Sequence, residues 1–313
     1  MLSVVIPAYN EEEMLQKAAD TVSRVLEESG IGFEIIFVDD GSSDNTWEKI
    51  EESRRNSGNV RGIRFSRNFG KECAVFAGLE QARGDCAAVM DCDLQHPPEA
   101  LVSMYRLWEE GYEVVEGKKK SRGRENVFHG FCASVFYGIM SRAAGTDMRG
   151  ASDFRLLDRK AVDVLLRMPE RSVFFRGMSS WIGFRRATVE FDVREREAGK
   201  SKWSIFRLIR YAVRNIADYS SAPLHTVTGA GLLFLLITLI LGVQTLVSYF
   251  RGQAVAGFTT VILLILFTGS IIMLSLGIIG YYLSKIYEEI KGRPRYIISE
   301  ISCSKKKENG AEK

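Results

Sequence analysis

Short apolar runs alternate with amphipathic stretches along the first part of the chain. Ser3–Ala8 (SVVIPA) is apolar, and Glu11–Glu28 then sets Met14, Ala18, Val22, Val25 and Leu26 along one helical side. Glu34–Val38 (EIIFV) is apolar again, Thr46–Arg55 can form a helix and Val60–Phe65 a strand. Lys71–Gln81 predicts a helix led in by Gly70, Cys86–Met90 (CAAVM) a fourth strand, Pro98–Glu110 a helix opened by proline, and Glu113–Glu116 a short fifth strand. Continuous apolar strands separated by helices predict an α/β fold, a parallel sheet covered on both faces. The apolar start Leu2–Ala8 is too short for a signal peptide and runs into Glu11, Glu12 and Glu13, so it reads as the first strand.

Farther on the pattern changes. No charged residue lies between His225 and Arg251, and Thr226–Phe250 would rise about 37 Å as a helix, against roughly 30 Å of bilayer hydrocarbon. Phe258–Leu283 is a second uncharged span, joined to the first by a loop around Arg251–Gly257. Two buried core helices of a soluble protein are the alternative, but uncharged apolar helices of this length are rare outside membranes. Trp203–Tyr219 sets Phe206, Ile209, Val213 and Ile216 on one side and Arg207, Arg210 and Arg214 on another, as an interfacial helix would; a helix packed on the preceding domain is the alternative. Val127–Met140 is also apolar and fits either the bilayer surface or a core. The expected organisation is a domain over 1–200, an amphipathic linker over 201–225, and spans at about 226–250 and 258–283 within 226–284. A basic tail over 285–313 follows, disordered from Ser302.

Composition narrows the class. Across 313 residues, 46% hydrophobic and 26% charged positions exclude a disordered or collagen-like chain. The net charge is only +3, and its placement matters more: residues 1–184 are net negative, while 185–214 and 285–313, flanking the spans, are net positive. That pattern argues against a nucleic-acid partner and for anionic lipid headgroups, with both termini cytoplasmic in the cell membrane. The five cysteines form an odd set without a CxxC pair, which fits a reduced compartment and no zinc site. His129 and His225 have no ligand spacing, and Lys118–Lys120 with Arg122 and Arg124 reads either as a solvated loop or as a lid over phosphate.

Two predicted strands end in carboxylates, Asp39-Asp40 and Asp91-Cys92-Asp93. Ligands of open α/β sheets bind beyond the carboxyl ends of the strands, so both sets belong to one crevice. Alternate residues of an extended chain point the same way, so Asp91 and Asp93 can present oxygens together while Cys92 points elsewhere. Such a pair suits magnesium or manganese completed by diphosphate oxygens and water. A solvated acidic loop is the blander reading of a DxD alone. Likewise Asp40–Thr46 can be a turn in which Asp44 or Asn45 caps the next helix, which is compatible with ligand contact.

Taken in order, Val5-Ile6-Pro7-Ala8-Tyr9-Asn10-Glu11-Glu12, Val38-Asp39-Asp40-Gly41-Ser42-Ser43-Asp44, Arg67-Asn68-Phe69-Gly70-Lys71 and Asp91-Cys92-Asp93-Leu94-Gln95 resemble the successive motifs of inverting family-two glycosyltransferases of GT-A fold. The branch most resembled contains dolichyl-phosphate mannose synthase and bacterial polyprenyl-phosphate glycosyltransferases. Ser152-Asp153-Phe154-Arg155-Leu156 and Arg196–Trp203 are similar to its later motifs, and the two trailing spans to those of its bacterial members. The resemblance implies a Rossmann-like, mostly parallel catalytic domain followed by a transmembrane hairpin.

By position, the resemblance implies that Pro7, Tyr9, Glu11, Asp39, Asp40, Lys71, Asp91 and Gln95 bind the nucleotide sugar. Asp91 and Asp93 would hold Mg2+ or Mn2+, and Asp153 with Asp93 would be catalytic. Arg155, Arg196, Lys200, Ser201 and Lys202 would meet the acceptor or diphosphate. Processive synthases of the family carry QxxRW where this chain has Gly199-Lys200-Ser201-Lys202-Trp203, so a single transfer is expected. The expected reaction moves one sugar from a UDP- or GDP-sugar to a polyprenyl phosphate, with inversion, at the cytoplasmic face. The alternatives are another lipid acceptor such as diacylglycerol, or a non-catalytic membrane scaffold that binds sugar nucleotides. The resemblance is compatible with a homo-oligomer and leaves the oligomeric state open.

Overall fold

The computed structural model describes residues 1–120, 138, 151–171, 173–192, 222–251 and 257–302. The chain divides into one unit of Met1–Arg207 with Arg293–Lys313, and a second of Leu208–Gly292. In the first unit, strands β1 (Leu2–Ala8), β2 (Phe33–Asp39), β3 (Val60–Phe65) and β4 (Cys86–Val89) alternate with helices α1 (Leu15–Glu28), α2 (Thr46–Asn56), α3 (Lys71–Gln81) and α4 (Glu99–Glu109). Then come β5 (Val114–Lys119), β6 (Ala151–Asp158), α5 (Arg159–Arg167), α6 (Phe175–Trp181) and β7 (Arg186–Phe191).

One eight-stranded sheet runs β7-β5-β6-β4-β1-β2-β3-β8, where β8 is Ile298–Ile301. The centre is parallel, β1 pairing with β2 and β4, and β2 with β3. β6 lies antiparallel between β4 and β5, and β7 adds parallel to β5. Two-residue periodicity sends Leu2, Val4 and Ile6 to the same core as Leu15, Val22 and Leu26 of α1. Val5 faces α3 on the other side, where Gly78 comes so close that a Cβ would run into the Val5 side chain. Burial of both faces explains why these strands are apolar without alternation.

Two expectations change at the edges of this unit. β5 is longer than the expected Glu113–Glu116: it spans Val114–Lys119, and Lys118 and Lys119 are strand residues paired with β7, not part of a loop. The stretch expected as a basic tail returns to the sheet instead. β8 pairs antiparallel with β3, Tyr296 stacks on Phe65 with ring centroids 5.0 Å apart, and Arg295 lies 5.4 Å from the Phe76 ring. Covering β3 this way protects an otherwise open sheet edge.

The second unit contains helices α7 (Ala222–Phe250) and α8 (Phe258–Ile290). Each contains a stretch long and apolar enough to cross a membrane, Val227–Gln244 with mean hydropathy 2.1 and Phe267–Ile290 with mean hydropathy 1.5, and neither stretch is buried. Phe234 and Phe267 bring their rings to 5.0 Å across the pair. α8 extends beyond the expected Leu283, carrying Lys285, Glu288 and Glu289 as helix.

Candidate active site

The parallel strands β1, β2 and β4 all end at one edge of the sheet, and β6, running the other way, begins there. The first two loops are tied to each other. Asn10 N donates to Ser42 Oγ at 2.9 Å, Ser43 N to Asn10 Oδ1 at 2.9 Å, and Glu11 N to Thr46 Oγ1 at 2.9 Å. Asn10 accepts a φ of 55°, a left-handed conformation that asparagine tolerates better than most residues. Asn45 is the N-cap residue of α2 without a side-chain cap bond, and Asp44 Oδ1 accepts from Thr46 N at 3.1 Å instead. Beside these loops Pro7 is half-buried, Tyr9 is exposed and Glu11 is half-buried.

Asp40 spends both oxygens on backbone N–H groups, whereas Asp39 Oδ2 is buried without a hydrogen-bond partner among the described residues. Asp39 is fully buried, accepts from Ser42 N at 2.8 Å and lies 3.4 Å from Arg64 Nε. Asp40 accepts from Phe69 N at 2.6 Å and from Gly70 N at 2.9 Å, and burial pushes its carboxyl upward against those donors. The second aspartate of one motif thereby shapes the loop of the next. Gly41 makes the same contact possible: at φ 68° it packs on the Arg67–Asn68 backbone, where no Cβ fits.

That loop delivers Lys71 as the first residue of α3. Its Nζ lies 2.6 Å from Asp91 Oδ1 and 2.9 Å from Asp153 Oδ2. β4 and β6 account for the meeting, because the register that opposes Val89 to Arg155, continued by two residues, opposes Asp91 to Asp153. Arg176 on α6 grips the other Asp153 oxygen through Nε and Nη2, both at 2.9 Å. Burial alone would raise the Asp153 carboxyl, but Lys71 and Arg176 hold it well below the usual carboxylate range. Asp91 is likewise lowered, burial being outweighed by Lys71, whose own ammonium is raised by the two carboxylates against burial. Glu72, next in α3, accepts from Phe175 N at 2.8 Å at the start of α6, and burial with the nearby Asp153 charge pushes it up to about 7.

Asp93 Oδ1 accepts from Gln95 N at 3.1 Å across Leu94, which sits at φ 54°. An apolar residue held in that region marks a loop constrained by its surroundings. Cys92 is buried, as alternation predicts, and burial pushes its thiol up, so it is an inert core residue. His96 closes the loop from beneath, stacked on Phe154 at 4.8 Å, 5% exposed, with no partner for Nδ1 among the described residues. Burial lowers its pKa despite the nearby Asp91 charge.

Whether these residues suit a divalent cation turns on their donor chemistry. Among the described residues no group of three histidine, cysteine or carboxylate side chains could hold a metal ion. Asp91 and Asp93 supply hard oxygens only, and Asp91 already accepts a cationic group, the Lys71 ammonium, at 2.6 Å. Two carboxylates fit a cation that shares its remaining positions with phosphate oxygens and water, not a closed protein cage.

Arg155 lies elsewhere than expected. It is fully buried, its Nη1 donating to Ser179 Oγ at 2.7 Å and Ser180 Oγ at 2.9 Å, with Glu116 Oε1 3.3 Å away. Burial pushes it down to about 10, and it joins α6 to β6 from within rather than presenting a cation to an acceptor. Arg196, Lys200, Ser201 and Lys202 lie outside the described residues, as do Trp203–Tyr219, Arg122 and Arg124, and all of Val127–Met140 but Gly138. Arg176, Glu72 and His96 escaped the sequence reading. His96 had a signal, standing three residues after Asp93; Glu72 adjoins Lys71; Arg176 belongs to no motif and is found only through α6 packing.

Residues 3–165 match the model of glycosyl transferase family 2. CsbB of Bacillus subtilis (strain 168), a glycosyltransferase by name, is 36% identical over 308 residues, covering 98% of this chain and 93% of that protein. The prophage bactoprenol glucosyl transferase homolog of Escherichia coli (strain K12) is 34% identical over 302 residues, 96% of this chain and 99% of its own length. Among solved structures, glucosyl-3-phosphoglycerate synthase from Mycobacterium tuberculosis, in complex with Mn2+, UDP-glucose and phosphoglyceric acid, aligns with a TM-score of 0.46 and 21% identity over 69% of this chain and 77% of that one.

Proposed function

The chain belongs to glycosyl transferase family 2, and from that premise we propose that it moves one sugar from a nucleotide-diphosphate sugar to a polyprenyl phosphate, with inversion, at the cytoplasmic face of a membrane. The observation that carries this reading is the pairing of Asp153 with two cations, Lys71 at 2.9 Å and Arg176 at 2.9 Å. A carboxylate held so firmly ionised is a weak proton acceptor. A sugar or glycerol hydroxyl must lose a proton as it attacks, whereas a phosphomonoester, with a second pKa near 6, is already largely dianionic at neutral pH. Asp153 therefore serves a phosphate acceptor better than diacylglycerol, orienting it through the cations it anchors. The bactoprenol glucosyl transferase relative and the two apolar helices support a lipid acceptor.

On the donor side, Tyr9 and the joined Asn10–Glu12 and Asp39–Asp44 loops would form the nucleotide wall. Asp91 and Asp93 would hold Mg2+ or Mn2+, which supplies charge neutralisation for the departing diphosphate. Lys71, paired with Asp91, and Arg176, paired with Asp153, would stabilise negative charge as it develops. The basic residues flanking the spans support cytoplasmic termini.

The test is transfer of radiolabelled sugar from UDP- and GDP-sugars into extracted membrane lipids, with and without Mn2+. An acid-labile glycolipid product is expected. An acid-stable product would point to diacylglycerol, and donor binding without turnover on any lipid would leave only a scaffold.

A further inference from the structure

Lys71 occupies an unusual place for a cation. It is the first residue of α3, where the helix dipole favours negative charge, so helix stability does not explain a lysine there. Two carboxylates from different strands do: Asp91 Oδ1 at 2.6 Å and Asp153 Oδ2 at 2.9 Å. The two ends of this bridge are not equivalent. Asp153 also has Arg176 and would stay paired if Lys71 left, whereas among the described residues Lys71 is the cation paired with Asp91. The Lys71 side chain is 41% exposed on a long rotatable stem, so it can turn away without unpacking the core.

An ammonium 2.6 Å from Asp91 Oδ1 occupies a lone pair of that carboxylate and sets a positive charge beside any divalent cation bound there, so the two cations repel. Building on the donor site proposed above, we infer that Lys71 competes with the divalent cation for Asp91, and that the donor diphosphate relieves this competition by offering Lys71 a new anionic partner. Cation and nucleotide would then bind cooperatively, with Lys71 as the coupling element and Arg176 keeping Asp153 in place during the exchange. A cation without its nucleotide would bind weakly, which restricts metal loading to moments when a donor is present.

The experiment measures Mn2+ binding to the full-length protein in nanodiscs by the loss of the free-ion EPR signal, with no nucleotide, with UDP and with GDP. In the wild type, nucleotide is expected to tighten Mn2+ binding. In Lys71→Met, binding without nucleotide should tighten about tenfold and the further gain from nucleotide should shrink. Lys71→Gln should move the same way, while Lys71→Arg, which keeps the charge, should stay near the wild type. Nucleotide-assisted binding in the wild type, with Met and Gln variants unchanged or weaker without nucleotide, overturns this inference alone. Absence of nucleotide-assisted Mn2+ binding in the wild type overturns the donor-site reading and this inference with it.

Discussion

Arg176 Nε donates to Asp153 Oδ1 at 2.9 Å, while Lys71 takes the opposite oxygen of the same carboxylate. One aspartate thus joins α6 to α3 across the start of β6. Its ionised form is stabilised on both sides, which makes it an anchor for cations before it is a base.

Asp153→Asn should therefore keep more activity than Asp91→Asn. We expect Asp153→Asn to lose less than about a hundredfold in turnover, below the range typical of a lost general base, and Asp91→Asn to lose more than that. Steady-state transfer to polyprenyl phosphate, with circular dichroism verifying the fold, measures both. Equal losses would sink the idea.

Glu72 gives the structure a pH signature. Its ordinary value is 4.5 and its folded value about 7, so the folded chain holds a proton that the unfolded chain releases between those pH values. The stabilisation is fully present below pH 4.5 and is lost as pH rises through about 7. Glu72→Gln can still accept from Phe175 N but does not titrate, so its melting temperature should fall less than that of the wild type between pH 5 and pH 8, an interval that covers most of that window and passes about one unit beyond its upper end. Parallel melting curves for the two proteins across that interval would contradict this.

The Asp40 carboxylate caps the loop ahead of α3, and its loss strands two backbone N–H groups, Phe69 and Gly70. Asp40→Ala should cost about 2–3 kcal/mol of stability, the scale of hydrogen bonds to a charged group, and weaken nucleotide binding by releasing Lys71. Asp40→Asn should lose less, since one amide oxygen can still accept. Urea unfolding and nucleotide titration read the two effects separately.

Arg155 tests a different distinction. Because its guanidinium is buried against Ser179, Ser180 and Glu116, Arg155→Leu should lower stability by about 3 kcal/mol. In protein that still folds, KM for the lipid acceptor should stay near the wild-type value. A selective rise in that KM would return Arg155 to the acceptor site.

Much of this molecule can be read along the chain. The β1–β4 strands and the helices between them follow from periodicity, because burial on both faces of a sheet demands apolar runs that local sequence displays, and the two long apolar helices follow from their uncharged stretches. The two carboxylate clusters are equally visible, since strand ends in a parallel sheet share one edge. Asp91 opposite Asp153 was within reach only in part: each motif stood out, but their meeting depends on β6 running antiparallel to β4.

What the tertiary structure alone decided is partnership. Nothing near Arg176 announces its bond to Asp153, because the α6–β6 contact that makes it brings together residues from separate elements. The family resemblance marked Arg155 as a candidate for phosphate, yet packing buried it; charge is a property of the residue, exposure a property of the fold. The stretch around Tyr296 looked like a polar tail because a short edge strand has almost no pattern of its own, and its place is set by the unpaired hydrogen-bonding groups of β3 and the ring of Phe65. Local sequence specifies which elements form, since their periods are short; which side chains face one another depends on register and strand order, and those are settled only when the whole sheet closes its core.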